Sequence, residues 1–382
     1  MAAYLQLGDK SWNLLSENDI GNYVGAIINP INDSPNVVAD RIAELGQRRA
    51  ELELILDPHL YNPSVMRGKL PAWSYYPADF ETANRGDLAW WRQCSERLVQ
   101  SARVLGLDAV CSPAVLAKSF NNDYYDFSAT VAEYSRNLAL NHGLGHLTTV
   151  IVKLDDMTNP DRAYEIASIL TRQGVDRVYL LILSELQPRV PFSDVDALAT
   201  TIHLIRMLSE HMRIHVAFCG HDLILWKYAG AQEVSSGKFF NLRRFVPGRW
   251  EDSESKGRPI PYWSDGELIT LLRDQDVLTL DKRHGWFDTS NFEDNPFSKQ
   301  ILERLRGGSG QAWLGLAWRQ YLRWVANEDF RLSSAGRARE TLLKADQRWH
   351  ELDNAEVLLA DRVNDGAWIR YWLNACAVSK KR

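Results

Sequence analysis

The chain has 382 residues, of which 45% are apolar, 24% charged and 10% aromatic, and its formal net charge is −5. This much apolar material is enough for a large core and excludes a disordered chain. At about 150 residues per folding unit the length predicts two or three units, although an α/β barrel alone takes about 250. The acidic balance argues against general avidity for nucleic acid and leaves room only for a local basic patch.

No basic start precedes a long apolar stretch at the N-terminus, so no secretory signal is expected. The longest apolar runs, such as residues 178–183, fall far short of the ~20 residues that span a bilayer. The cysteines Cys94, Cys111, Cys219 and Cys376 form no C-x-x-C pair, which predicts reduced, buried thiols and a cytoplasmic location.

The first two thirds of the chain alternates short apolar runs with helical patterns. Strands are expected at residues 3–7, 23–29, 51–57, 108–112, 147–153, 178–184, 214–219 and 233–238. The middle runs are apolar at nearly every position, as in Val178-Tyr-Leu-Leu-Ile-Leu183, so both faces of those strands must be covered, as in a parallel sheet. Between them, helices are expected at 36–47 (Val38, Ile42 and Leu45 on one face), 87–105, 127–140, from Asn159-Pro160-Asp161 to near Gly174, and 194–210. Repeated βα units with right-handed crossovers build either a closed barrel or an open doubly wound sheet. Eight strands favour a (β/α)8 TIM-like barrel over residues 1–245. Two places threaten closure: the short first strand with its barely helical connector, and the two-turn connector at 222–228.

The segment 59–86 is an aromatic insertion carrying Tyr61, Trp73, Tyr75, Tyr76 and Phe80. It sits where barrel lids form, and reads equally as an ordered loop packed on its own rings. Residues 246–261 are polar and rich in breakers, a linker pattern. Residues 262–382 read as a mostly α-helical C-terminal region: a short helix at 265–273, an extended piece at 277–280, a helix at 311–325 apolar around most of its circumference, and an amphipathic helix at 336–362. Six of the fourteen tryptophans lie after residue 310, either packed on the barrel or presented to a protein partner.

Known signatures are absent. Gly143-Leu-Gly145 follows a helix and precedes a strand, the reverse of a dinucleotide fingerprint, and Gly237-Lys238 lacks the earlier glycine of a P-loop. There is no H-E-x-x-H, no G-x-S-x-G and no zinc spacing, and Gly307-Gly-Ser-Gly310 reads as a flexible turn. The sequence names no cofactor.

In a parallel barrel the C-terminal ends of the strands share one face, so polar residues far apart in sequence meet there. Asp57, Lys153, Glu185 and His221 stand at such ends and are the candidates for proton transfer or for polarising a carbonyl. The competing role of each is an ion pair or a helix cap, above all for Asp155 and Asp156 before the Asn159 helix start. Asp57, Asp155 and Glu185 are oxygen ligands of the kind magnesium or manganese takes, but no metal is predicted. Residues 234–245 contain no acid and offer Ser236, Gly237, Lys238, Arg243 and Arg244, an anion-binding set for a phosphate or carboxylate, or else a solvated basic turn paired with Glu251 or Asp252. The leading expectation is a barrel enzyme using general acid–base chemistry on a small anionic or phosphate-bearing substrate. The alternatives are a catalytically silent barrel acting as a subunit of an assembly, and a binder of single-stranded nucleic acid that stacks bases on Phe239, Phe240 and Trp250.

Overall fold

The structure is a computed structural model that describes residues 2–172, 174–250, 259–287, 294–308, 312–361 and 363–382. Its centre is a closed barrel of eight parallel strands in sequence order: β1 (Ala2–Gln6), β2 (Tyr23–Ile28), β3 (Glu53–Leu56), β4 (Ala109–Cys111), β5 (Gly145–Lys153), β6 (Arg177–Leu183), β7 (Arg213–Ala217) and β8 (Glu233–Ser236). The last strand closes on the first, with Ala3 opposite Val234 and Leu5 opposite Ser236. The fold is therefore the closed TIM-like barrel, and the open sheet is excluded. All eight expected strands form.

Helices α1 (Pro35–Glu44), α2 (Leu88–Val104), α3 (Asn122–Asn141), α4 (Asp161–Arg172), α5 (Val195–Ser209) and α6 (Leu223–Ala229) fill the connections from β2 onward. Side chains start three of them: Asp87 accepts from Ala89 N and Trp90 N, Asn121 from Tyr124 N, and Asp194 from Ala197 N. The connection after β1 holds only the 3-10 turns Trp12–Ser16 and Asn18–Ile20, yet the barrel closes.

The lower interior of the barrel is polar, and its charged groups face opposite charges. Arg177 donates to Glu53 at 2.6 Å and to Glu233 at 2.8 Å, Tyr4 O–H donates to Glu53, and the His215 ring lies 3.4 Å from Glu233. This charged layer plugs the end of the barrel away from the mouth. The insertion 59–86 is an ordered loop: Tyr61, Trp73, Tyr75 and Tyr76 are buried, and Trp73 donates its indole N–H to Asp33 O at 3.0 Å.

The C-terminal region departs from expectation at its start. Residues 265–273 form no helix. β9 (Trp263–Asp265) and β10 (Thr270–Leu272) make an antiparallel hairpin, because Asp265 Oδ1 accepts from Glu267 N and Leu268 N and turns the chain back. The expected extended piece at 277–280 lies inside helix α7 (Asp274–His284), where Asp276 accepts from Arg273 N at 3.2 Å. Helices α8 (Pro296–Arg306), α9 (Leu314–Arg331), α10 (Ala335–Asn354) and α11 (Ala367–Val378) follow. Of the expected linker and turns, residues 251–258 (with Glu251 and Asp252) and 309–311 lie outside the described residues, as does Arg362.

These helices complete the barrel's outer layer. Tyr23 O–H donates to Leu322 O at 2.7 Å, Tyr228 O–H to Cys376 O at 3.0 Å, and the Trp372 indole to Phe192 O at 2.9 Å. Lys227 and Asp329 form a buried ion pair between α6 and α9. One apolar cluster runs from Ala3 to Cys376. Trp313, Trp324, Trp349, Trp368 and Trp372 are buried within the chain. All four cysteines are buried and free. Among the described residues no helix is long and apolar enough to cross a membrane.

Candidate functional site

The rim residues named by strand-end position separate into two places and a remainder. The first place is the barrel axis. Asp57, just past β3, is fully buried; its oxygens accept from Tyr61 O–H at 2.9 and 3.0 Å, from Tyr179 O–H at 3.2 Å and from His59 N at 3.0 Å. Burial raises its pKa to about 6 against those hydrogen bonds and the nearby Arg249. The mouth above it is filled by rings: Tyr61, Phe245 and Trp250 lie 4.7 to 5.0 Å apart, and Phe218 is 5.3 Å from Phe245.

The second place is a small cleft, of about 40 Å³, where the loops after β6, β7 and β8 face the C-terminal region. Its walls include Arg189, His221, Asp222, Arg243, Arg244, Thr270, Tyr321, Asp361 and Asn364. Arg243 is 5% exposed; its guanidinium lies flat on Tyr321, 3.3 Å from the ring centre, and donates to Gly237 O at 3.0 Å and Lys238 O at 2.8 Å. Among the described residues it meets no carboxylate, and burial lowers its pKa to about 10. Arg244 stacks on Phe192 at 3.6 Å, donates to Val190 O at 3.3 Å and stands 3.9 Å from Asp222, with its Nε unpartnered. Burial holds Asp222 above the usual carboxylate range although Arg244 and the Trp226 indole, at 2.7 Å, pull it down. Arg189 is matched by Asp361 at 2.5 Å. His221 lies 4.5 Å from Trp324 and 3.1 Å from Ser264 Oγ; burial, then Arg243, lowers its pKa to about 3, so its ring is neutral. Two buried guanidiniums therefore face one carboxylate, and the cleft carries an excess of positive charge able to take an oxyanion.

The remaining candidates meet neither place. Ser236 donates to Cys219 O at 2.5 Å and shares a hydrogen bond with Tyr321 at 2.8 Å. Gly237 packs so closely that a Cβ would come 2.6 Å from Leu242 and 2.7 Å from Gln6 O. Lys238 donates to Lys10 O at 2.9 Å and sits between the rings of Phe239 and Trp318. These three bind the chain to itself. Lys153 is partly exposed, 4.0 Å from Asp155, and Glu185 is exposed. Asp57 at the axis and the exposed Asp155 and Glu185 do not converge, and among the described residues no group of three metal-ligating side chains gathers.

Sequence reasoning missed Arg189, Thr270, Asp361 and Asn364. They lie in loops or in the C-terminal region, and only the packing of that region on the barrel brings them to the cleft.

No known protein family and no curated protein matches the chain. Solved structures to which the chain is similar include an L-ribulose 3-epimerase, at 15% identity over 81% of this chain and 97% of that one with a TM-score of 0.36. Others are a glycoside hydrolase family 3 β-N-acetylglucosaminidase from Paenibacillus sp. (15%, 90% and 67%, 0.40) and a triosephosphate isomerase from Bartonella henselae (12%, 62% and 92%, 0.33).

Proposed function

We propose that the chain is a barrel enzyme that receives a small phosphate- or carboxylate-bearing substrate in the cleft between the β6–β8 loops and the C-terminal region. One observation carries this reading: Arg243 lines the cleft as a buried cation with no carboxylate partner among the described residues. A buried charge without a counter-charge is costly, and a bound oxyanion supplies one. Arg244 assists from its place beside Asp222. His221 handles the proton. It is neutral in the free protein because desolvation, and then the nearby Arg243, disfavour its charged form. An anion bound at Arg243 screens that cation and raises the imidazole's affinity for a proton, so substrate binding itself prepares the base.

Thermal shift and calorimetry with inorganic phosphate and pyrophosphate test the reading. Both anions are expected to stabilise the protein in a saturable way, and Arg243→Ala to weaken binding about tenfold or more, the loss of a charge-assisted bond. Arg243→Lys retains part of the affinity, and Lys238→Ala leaves it unchanged. His221→Gln binds phosphate normally and loses turnover of a phosphorylated substrate. Absence of anion-dependent stabilisation in the wild type defeats the proposal.

A further inference from the structure

The barrel axis has its own chemistry, independent of the cleft. Asp57 is well served, with both oxygens accepting hydrogen bonds. Around it stand polar atoms that are not. Both ring nitrogens of His59, Nε of Arg249 and Nε1 of Trp250 are buried without a hydrogen-bond partner. His59 Nε2 is 3.3 Å from Asp57 Oδ2 but off the direction of a hydrogen bond. The atoms belong to one cluster: the His59 and Trp250 rings are 6.3 Å apart, Arg249 lies 5.1 Å over Phe218, and Phe218 is 6.3 Å from His59. Buried donors left unpaired are rare in native proteins, and here four such atoms gather in one spot.

The backbone marks the same spot. His59 and Phe218, each just past a strand end, have φ of +53° and +57°, a left-handed conformation that costs a residue with a side chain. Such strain collects where a fold holds groups ready for a ligand.

The turn above, residues 247–250, follows Phe245, whose carbonyl accepts from Ser184 N beside the end of β6. Arg249 N donates to Val246 O and Arg249 Nη1 to Asn241 O, both in its own loop. Among the described residues no hydrogen bond joins 247–250 to a barrel strand; Trp250 is held by ring packing on Tyr61 and Phe245.

The orphaned atoms define what fits. Arg249 Nε, Trp250 Nε1 and one nitrogen of His59 are donors, and the other His59 nitrogen is an acceptor because the buried ring is neutral. Asp57 and Arg249 offset each other in charge. We propose that the barrel axis beside Asp57 is a second binding site, for a small uncharged molecule carrying a carbonyl and a hydroxyl, closed over by the turn that bears Arg249 and Trp250. The carbonyl oxygen accepts from Arg249 and Trp250, and the hydroxyl pairs with His59.

Hydroxyacetone is the probe, with acetone and 1,2-propanediol as the analogues lacking one group. Full-length protein labelled with ¹⁵N at tryptophan and histidine is titrated by NMR, with Trp250→Phe assigning the Trp250 indole signal while keeping a ring in place. Hydroxyacetone is expected to move the Trp250 indole and His59 ring signals in a saturable way, while each analogue binds about tenfold more weakly. Arg249→Met, which keeps the stem, weakens hydroxyacetone to the same degree, and Arg243→Ala and phosphate leave it unchanged. An unmoved indole signal, as when these atoms are served by ordered water alone, overturns the site. So does equal binding of hydroxyacetone and 1,2-propanediol. Failure of phosphate to bind the cleft would leave this result untouched.

Discussion

Two buried carboxylates show how one barrel drives the same chemical group in opposite directions. Glu233, in the charged lower layer, is pushed up by burial but pulled down further by His215, Arg177 and Arg213, to about 2. Its folded pKa lies below the unfolded value near ~4.3, so it contributes stability above that value and loses it as the pH falls toward 2. Asp57 has its pKa raised to about 6, so its ionised form opposes folding at neutral pH and its contribution improves as the pH falls from about 7 toward 4. Urea unfolding over a pH series checks both. Glu233→Gln is expected to cost about 3 kcal/mol at pH 7, by leaving Arg177 underpaired, and to flatten the curve below pH 4.5. Asp57→Asn is expected to remove the slope between about pH 4 and 7. A wild-type curve flat in both windows contradicts the assignments.

At the scale of elements, close packing leaves single positions without tolerance. Gly366, at φ +72°, opens α11, and a Cβ there would run into the Trp349 ring of α10. Gly366→Ala is expected to cost about 2–3 kcal/mol, read as a fall in denaturation midpoint, through backbone strain and overpacking together. The strands were legible because their apolar runs are continuous, and β6, buried at six of its seven positions, is the clearest case. The hairpin of β9 and β10 was not, because Leu268, Ile269, Leu271 and Leu272 satisfy a helical period as readily as a strand. The Asp265-Gly266 turn outweighed that period by fixing two backbone N–H groups. The candidate sites were legible only in part, for a related reason. The basic character of residues 234–245 stands in the sequence, but the direction of each side chain does not. Lys238 turns away from the cleft to lie against Trp318, a residue of a helix far along the chain, while Arg243 turns toward it.

At the scale of the molecule, barrel and helices share one core, and the ion pair of Lys227 with Asp329 joins them in a buried setting. Removing one partner is therefore expected to cost more than removing both. Lys227→Met should destabilise by about 3–5 kcal/mol, and the double variant Lys227→Met/Asp329→Leu by much less. A chain cut after residue 250 should lose the sharp near-ultraviolet signals of its packed aromatic rings, because Tyr23 and Tyr228 lose their helical partners. A well-packed fragment would show instead that the barrel stands alone.

The seam where β8 meets β1 is covered by α9, whose Tyr321 reaches Cys219 O at 3.0 Å and Ser236 at 2.8 Å. On the ribosome the eighth stave of the cylinder therefore emerges some eighty residues before the helix that covers its seam. In that interval the seam lacks its cover, and a chaperone that shields strand edges is expected to bind chains stalled there and to release the finished protein.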